Sequence, residues 1–151
     1  MSHPQLENLA RIGKLKREPA AGDEVAGLLR SGKIRLADAQ RMDLSLESRF
    51  DLAYNAAHSL ALAALRRAGY RSESRYLVFQ CLVHTLGLPE AQWRVLDHAH
   101  RKRNLAEYEG DVDLDVALVD ALLRVTREVA RGLERHTPGP RDKGFPSGTG
   151  V

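Results

Sequence analysis

The sequence has few cysteines, few aromatic residues and no long apolar run. Its single cysteine among 151 residues excludes an internal disulfide and a zinc site built from several thiolates. No apolar run approaches the ~20 residues that a bilayer-spanning helix needs. The first 19 residues also lack the apolar core of a signal peptide. We therefore expect a cytoplasmic protein that does not enter a membrane.

The composition favours helices over sheets. Aromatic residues make up 5% of the chain and β-branched residues are sparse, whereas alanine and leucine are plentiful. Hydrophobic residues make up 43%, which is enough to form a core. The formal net charge of +3 permits binding to a phosphate polymer without requiring it. The fold class that we expect is all-α.

The six prolines leave two long stretches uninterrupted, residues 20–88 and 90–137. Apolar periodicity, capping residues and glycine stops divide these stretches into four helices, which begin near Ser45, Ser72, Glu90 and Asp113. Gly69 is expected to end the first helix and Gly110 the third. Short connections between them predict an up-and-down four-helix bundle over residues 45–135.

The two ends of the chain differ from this bundle. Residues 1–44 are predicted to form an N-terminal extension of short helices, over Gln5–Leu15, about Asp23–Arg30 and about Leu36–Arg41. Ser31-Gly32 is expected to end the middle one. Glycine, proline and charged residues dominate residues 136–151, so that we expect a disordered C-terminal tail.

The third helix carries a cation at the border of its apolar face. At about 100° per residue, Arg103 falls inside the apolar arc that contains Leu96 and Ala99. A guanidinium in that position must be paired or must line a groove, because burying it alone is costly. Glu107, four residues later, is a candidate ion-pair partner, so that a purely structural ion pair is one interpretation.

The sequence of the third helix, together with the two helices before it, resembles that of a known protein family. The stretch AHRKRNLAEYEGD (99–111) follows the predicted helices SRFDLAYNAAHSLALAALRRAGY and SRYLVFQCLVHTLGL. In helix order, in the alanine-rich first helix and in the Arg103-Asn104 pair, residues 45–135 resemble a HEPN domain (higher eukaryotes and prokaryotes nucleotide-binding).

The resemblance implies a helical bundle that is commonly a homodimer and that acts, in its active forms, as a metal-independent endoribonuclease without a cofactor. The family motif is an arginine, four to six residues and a histidine. Arg103 and Asn104 match its opening, whereas Tyr108 stands where the active pattern has histidine. The resemblance also implies a role in toxin–antitoxin or defence systems, with a nucleotidyltransferase as antitoxin partner that can modify a tyrosine such as Tyr108.

The departure at Tyr108 bears on catalysis. Cleavage of RNA without metal needs a base for the ribose 2′-hydroxyl, and histidine with a pKa near ~6.5 suits this role far better than tyrosine near ~10. Tyr108 can still bind a phosphate or stack on a base. His100 lies one turn before Asn104 on the same face and is a candidate replacement base. The candidate catalytic residues are therefore Arg103, Asn104, Tyr108 and His100.

A wider set of residues is predicted to bind RNA or a nucleotide: Arg101, Lys102, Arg103, Asn104, Glu107 and Asn55. Asn55 either faces the Arg103 groove or makes a hydrogen bond in the core, and His58 and His84 are expected at helix contacts. Two other functions stay open. One is a non-catalytic HEPN module that binds RNA, nucleotide or protein, and the other is a helical dimer with a structural role.

Overall fold

The computed structural model of the protein describes residues 3–110 and 113–135. In chain order these residues form α1 (Pro4–Arg11), β1 (Lys16–Arg17), α2 (Glu24–Ala39), α3 (Leu46–Arg67), β2 (Tyr70–Arg71), α4 (Arg75–Gln80), α5 (Leu82–Thr85), α6 (Glu90–Glu109) and α7 (Val116–Arg135). The prediction of an all-α helical bundle is confirmed. The only sheet in the described residues is the antiparallel pairing of β1 with β2. None of the described helices combines the length and the apolar character required to cross a bilayer.

Helix α3 lies at the centre of the bundle and contacts α2, α4, α6 and α7. Its start agrees with the sequence, because the Ser45 hydroxyl accepts a hydrogen bond from the backbone N–H of Ser48 at 3.0 Å. Gly69 follows its end with a φ of 94°. The alanines of α3 are almost all fully buried, which allows neighbouring helices to approach closely.

Helix α2 departs from the prediction, because it continues through Ser31-Gly32 as one helix of 16 residues. The reason is tertiary packing against α3. A Cβ atom on Gly32 would lie 2.7 Å from Leu60 Cγ and 3.3 Å from the carbonyl oxygen of Ala56. Gly32 therefore serves a close helix contact instead of a helix end. Leu36 and Ala39, also on α2, are buried in the same apolar core as α3.

Three helix boundaries also differ from the sequence prediction. The first helix ends at Arg11. The predicted helix from Ser72 to Leu86 is divided at Cys81 into α4 and α5. The last helix begins at Val116, and the carboxylate of Asp115 accepts a hydrogen bond from the backbone N–H of Leu118 at 2.7 Å. Gly110 ends α6 with a φ of 74°, as predicted. The tail at 136–151 lies outside the described residues.

A buried arginine fixes the N-terminal segment to α3. The Arg66 side chain is 1% exposed, and its guanidinium donates to the Glu24 carboxylate at 2.8 Å and to the carbonyl oxygens of Glu18 at 2.7 Å and Tyr70 at 3.1 Å. It also donates to the carbonyl oxygen of Pro19 at 3.2 Å. We call Arg66 and these acceptors the Arg66 network. It holds β1, β2 and the start of α2 together.

Candidate functional site

A buried tyrosine lies where α3, α4 and α6 meet. Tyr54, on α3, is fully buried and packs edge-to-face against Phe79, with ring centroids 5.6 Å apart. Its hydroxyl needs a polar partner at this depth. That partner is Nδ1 of His100 on α6, at 2.9 Å. The hydrogen bond fixes the His100 ring against the bundle.

His100 connects Tyr54 to the predicted motif. Its Nε2 lies 3.3 Å from Nδ2 of Asn104, one turn further along α6. Burial lowers the pKa of His100, the nearby Arg103 and Arg75 lower it further, and Asp97 and Glu107 act in the opposite direction. The imidazole is therefore held towards its neutral form, in which one ring nitrogen accepts and the other donates.

Arg103 occupies the position that the helical arithmetic predicts. Its side chain is 28% exposed, and the guanidinium carbon lies 4.9 Å from the centroid of the Tyr54 ring, a cation–π geometry. Glu107 is its ion-pair partner, at 3.7 Å from Nη1 to Oε1. Arg103 is therefore paired with Glu107, the partner expected from the sequence, and it also lies against the buried Tyr54 ring.

A second cation comes from α4. The guanidinium carbon of Arg75 lies 5.7 Å from the Tyr54 ring centroid, and its Nη1 donates to Oδ1 of Asn55 at 3.4 Å. Asn55 therefore touches the site through Arg75, while its own amide donates to the carbonyl oxygen of Asp51 at 2.9 Å. We call Tyr54, Arg75, His100, Arg103 and Asn104 the Tyr54 cluster.

The charge of the Tyr54 cluster also affects the pKa of His58, a histidine on α3. The His58 ring packs edge-to-face on Phe79, with centroids 5.9 Å apart. Burial lowers the pKa of His58 to about 4, and the positive charges of Arg75 and Arg103 and the neighbouring His100 contribute in the same direction. The region around Tyr54 is therefore electropositive, and its histidines are neutral near pH 7.

The remaining predicted site residues lie away from the Tyr54 cluster. Arg101 points outward and pairs with Asp97 at 3.4 Å. Lys102 donates to the carbonyl oxygen of Asp113, in the connection to α7, at 2.9 Å. The Tyr108 side chain is 91% exposed. It follows His100 and Asn104 along one stripe of α6, at the solvent end of that stripe.

Sequence reasoning missed Tyr54 and Arg75 and took His58 for an ordinary helix contact. Each left a signal. Tyr54 and His58 follow Phe50 at intervals of four residues, so that two polar groups continue an apolar stripe. Arg75 is in the first turn of α4, just after the capping residue Ser74. A cation is electrostatically unfavourable at a helix N-terminus, so its presence there invites another explanation.

The cluster has the chemistry of an anion site. Two guanidinium groups lie beside a neutral imidazole, and the only carboxylate paired with either of them in the described residues is that of Glu107. Guanidinium groups bind phosphate oxygens with directed, charge-assisted hydrogen bonds. Within the described ranges, no three histidine, cysteine or acidic side chains are grouped as metal ligands.

A second arginine-rich surface lies on α7, and two of its arginines have side-chain partners. Arg127 donates to Oε1 of Gln40 at 3.0 Å, and Arg131 pairs with Glu128. These arginines line a groove of about 450 Å³ between α6 and α7. Because no histidine or buried aromatic ring is among the described residues that line this groove, the Tyr54 cluster is the better candidate for a specific site.

Comparisons with known proteins add no family. The chain matches no protein-family model, and neither a curated protein nor a solved structure is significantly similar to it.

Proposed function

We propose that this protein binds RNA or a nucleotide by holding a phosphate group between Arg75 and Arg103. The observation that carries the proposal is the position of both guanidinium groups over the buried Tyr54 ring, where only Arg103 has a carboxylate partner in the described residues, the exposed Glu107. A phosphate between the two cations would replace the weak contact to Asn55 and would compete with Glu107 for Arg103.

The resemblance to HEPN domains supports the choice of RNA among phosphate-bearing ligands. The Arg103-Asn104 pair that opens the family motif lies in the cluster, with Asn104 next to His100. We propose a HEPN-type protein of the toxin–antitoxin or defence class.

The proposed assembly is a homodimer, which would cover the exposed Leu105 and Tyr108 side chains of α6. Measurement of the molar mass by light scattering tests this. A nucleotidyltransferase-type antitoxin is the proposed partner, tested by co-purification of the pair expressed from neighbouring genes.

The binding experiment compares two arginines on the same helix. Short labelled single-stranded RNA is titrated with wild-type protein, Arg103→Ala and Arg94→Ala. Arg94 pairs with Glu90 at the exposed start of α6, so that both variants lose one positive charge from an i,i+4 ion pair. We expect Arg103→Ala to weaken binding about 10- to 100-fold, since hydrogen bonds to charged groups are the stronger class. Equal affinities of the two variants would refute the site.

Cleavage is the second candidate function, and the observation that favours it is the place of His100 beside Arg103. In such a reaction the imidazole takes the proton of the ribose 2′-hydroxyl, the 2′-oxygen attacks the phosphorus and the 5′-oxygen leaves. Arg103 would stabilise the charge that develops on the phosphate. The alternative is a structural role, in which His100 is only the hydrogen-bond partner of the buried Tyr54 hydroxyl and the protein binds RNA without cleaving it.

These alternatives separate in a cleavage assay with a chelator present. Labelled RNA is incubated with wild-type protein, Arg103→Ala, His100→Ala and Tyr108→His, and the products are examined for cyclic-phosphate ends. Cleavage by wild type that is lost in Arg103→Ala and His100→Ala assigns the base to His100. Cleavage only by Tyr108→His means that Tyr108 has replaced the catalytic histidine. No cleavage by any of them leaves the non-catalytic module.

A further inference from the structure

An exposed aromatic pair borders the Tyr54 cluster. Tyr76 follows Arg75 on α4, and the residue is 43% exposed. One edge contact joins it to Trp93 of α6, with centroids 5.4 Å apart and ring planes at 72°. The same Tyr76 ring lies 6.4 Å from the His100 ring. The His100 ring, which also stacks on Tyr54, therefore connects this aromatic pair to the ring beside which Arg75 and Arg103 lie.

The arrangement matches the two ends of a nucleotide. Consecutive residues on a helix point about 100° apart, so that Arg75 is directed to Tyr54 while Tyr76 is directed to Trp93. The His100 ring contacts the rings of both Tyr54 and Tyr76. A phosphate held by the cations would place the attached base towards the Tyr76 ring, and the face of a base stacks on tyrosine irrespective of base identity.

We propose that Tyr76, supported by Trp93, is a stacking platform for the base next to the bound phosphate, and that the ligand is therefore single-stranded RNA. This inference rests on the proposed function, because it needs the phosphate at Arg75 and Arg103. Bases in a duplex are covered on both faces by their neighbours, whereas an unpaired base can turn out onto an aromatic side chain. The platform thus selects against duplex RNA of the same charge.

The alternative for Tyr76 and Trp93 is an ordinary surface contact between two large rings. Such a contact would affect folding stability without discriminating between ligands. The two explanations differ in one respect, which is the contribution of the base to the affinity. A test must therefore vary the base while keeping the number of phosphates constant.

The experiment measures the affinity for three labelled ligands by fluorescence anisotropy: a short single-stranded RNA, the same strand with abasic ribose at every position, and the corresponding duplex. The wild type should bind the single strand more tightly than the abasic strand by about 5- to 100-fold, the usual contribution of a stacked base. Trp93 is the only tryptophan in the chain. Its intrinsic fluorescence should change with the single strand and should not change with the abasic strand.

Three substitutions of Tyr76 sharpen the result. Tyr76→Phe retains the ring and should retain the preference for the base. Tyr76→Leu keeps apolar volume and Tyr76→Ala removes it, and both should lower affinity for the single strand to that for the abasic strand. Thermal unfolding of each variant reports whether it is folded. Full preference for the base in folded Tyr76→Leu would overturn the platform.

The outcomes separate this inference from the function on which it rests. Equal wild-type affinity for the single strand and the abasic strand, with both weakened by Arg103→Ala, overturns the platform and retains the phosphate site. Duplex binding as tight as single-strand binding also overturns the platform. Failure of the wild type to bind any of the three ligands overturns the proposed function, and the platform with it.

Discussion

Two regions of the molecule place arginines near a tyrosine, and they treat the guanidinium differently. In the Arg66 network the guanidinium is 1% exposed and every nitrogen has an acceptor between 2.7 and 3.2 Å. Tyr70 belongs to the same region, and its hydroxyl donates to Glu7 at 2.6 Å. An arginine with all of its donors occupied has no capacity left for a ligand. Its role is to hold the fold.

In the Tyr54 cluster the arginines have donors to spare. Arg103 has one carboxylate partner at 3.7 Å, and Arg75 makes a long hydrogen bond of 3.4 Å to the neutral amide of Asn55. Both also lie over the Tyr54 ring, and hydrogen bonds to the Tyr54 side chain occupy only part of their donors. The comparison teaches that the occupancy of its donors, rather than burial alone, separates a structural arginine from a candidate binding arginine.

The largest effect is expected from the Arg66 network. Arg66→Ala leaves three backbone carbonyl oxygens without their guanidinium donor and Glu24 without its closest partner, so that the free energy of unfolding should fall by about 3–5 kcal/mol. Denaturant titration measures this loss. Arg71→Ala is the matched control, because Arg71 pairs with Glu18 at 2.9 Å from a side chain that is 42% exposed.

Arg71→Ala should cost less than about 1 kcal/mol, since an exposed ion pair contributes little. If the two variants lost the same stability, the distinction between a saturated buried arginine and an exposed one would not hold in this protein. A large loss in Arg66→Ala alone supports it.

An intermediate effect on the free energy of unfolding is expected when the pH is lowered. The folded protein lowers the pKa of His58 from 6.5 to about 4, so that the unfolded chain binds more protons between these values. Stability is therefore complete above pH ~6.5 and decreases as the pH falls towards ~4, by up to about 3 kcal/mol for His58. Thermal unfolding across this window should show the decrease.

The His58→Gln variant isolates this contribution, because glutamine does not titrate. The pKa values of His84 and His100 are also lowered by burial, so the variant should retain a weaker dependence in the same window. Glu7 and Glu24 titrate separately, since hydrogen bonds from Arg17 and Arg66 respectively lower their pKa values to about 2, and their contribution is lost only below pH ~4.5. Identical pH profiles for wild type and His58→Gln would contradict the lowered pKa of the buried His58 imidazole.

The smallest effect on stability is expected in the Tyr54 cluster itself. Arg75→Ala and Arg103→Ala should each change the free energy of unfolding by less than about 1 kcal/mol, because their contacts are long and partly solvated. Chemical denaturation measures both. A loss as large as that of Arg66→Ala would assign these arginines to the fold and would remove the basis of the proposed site.

Much of the fold follows from local signals in the sequence. Ser45 caps α3 and Gly110 ends α6 as predicted, because capping depends on a few adjacent residues. Gly32 shows where such reasoning fails. Local propensity predicts that a helix ends at this glycine. In the structure α2 continues through Gly32, because only glycine allows the close contact with Leu60 of α3, and that tertiary contact cannot be read from the sequence.

The candidate site also contains one part that local sequence signals predict and another part that only tertiary packing creates. The position of Arg103 at the border of the buried face followed from helical periodicity on α6 alone. Arg75 and Tyr54 could not be assigned to the same place, because they lie on α4 and α3 and meet Arg103 only through the packing of three helices. Arg101 and Lys102 are neighbours of Arg103 in sequence and point elsewhere.

The salt dependence of RNA binding tests most directly whether the under-paired arginines contact phosphate. The logarithm of the binding constant for single-stranded RNA is measured against the logarithm of salt concentration for wild type, Arg103→Ala and Arg94→Ala. Loss of one phosphate contact should make the slope for Arg103→Ala shallower by about 0.7, while Arg94→Ala keeps the wild-type slope. Identical slopes for wild type and Arg103→Ala would contradict the account.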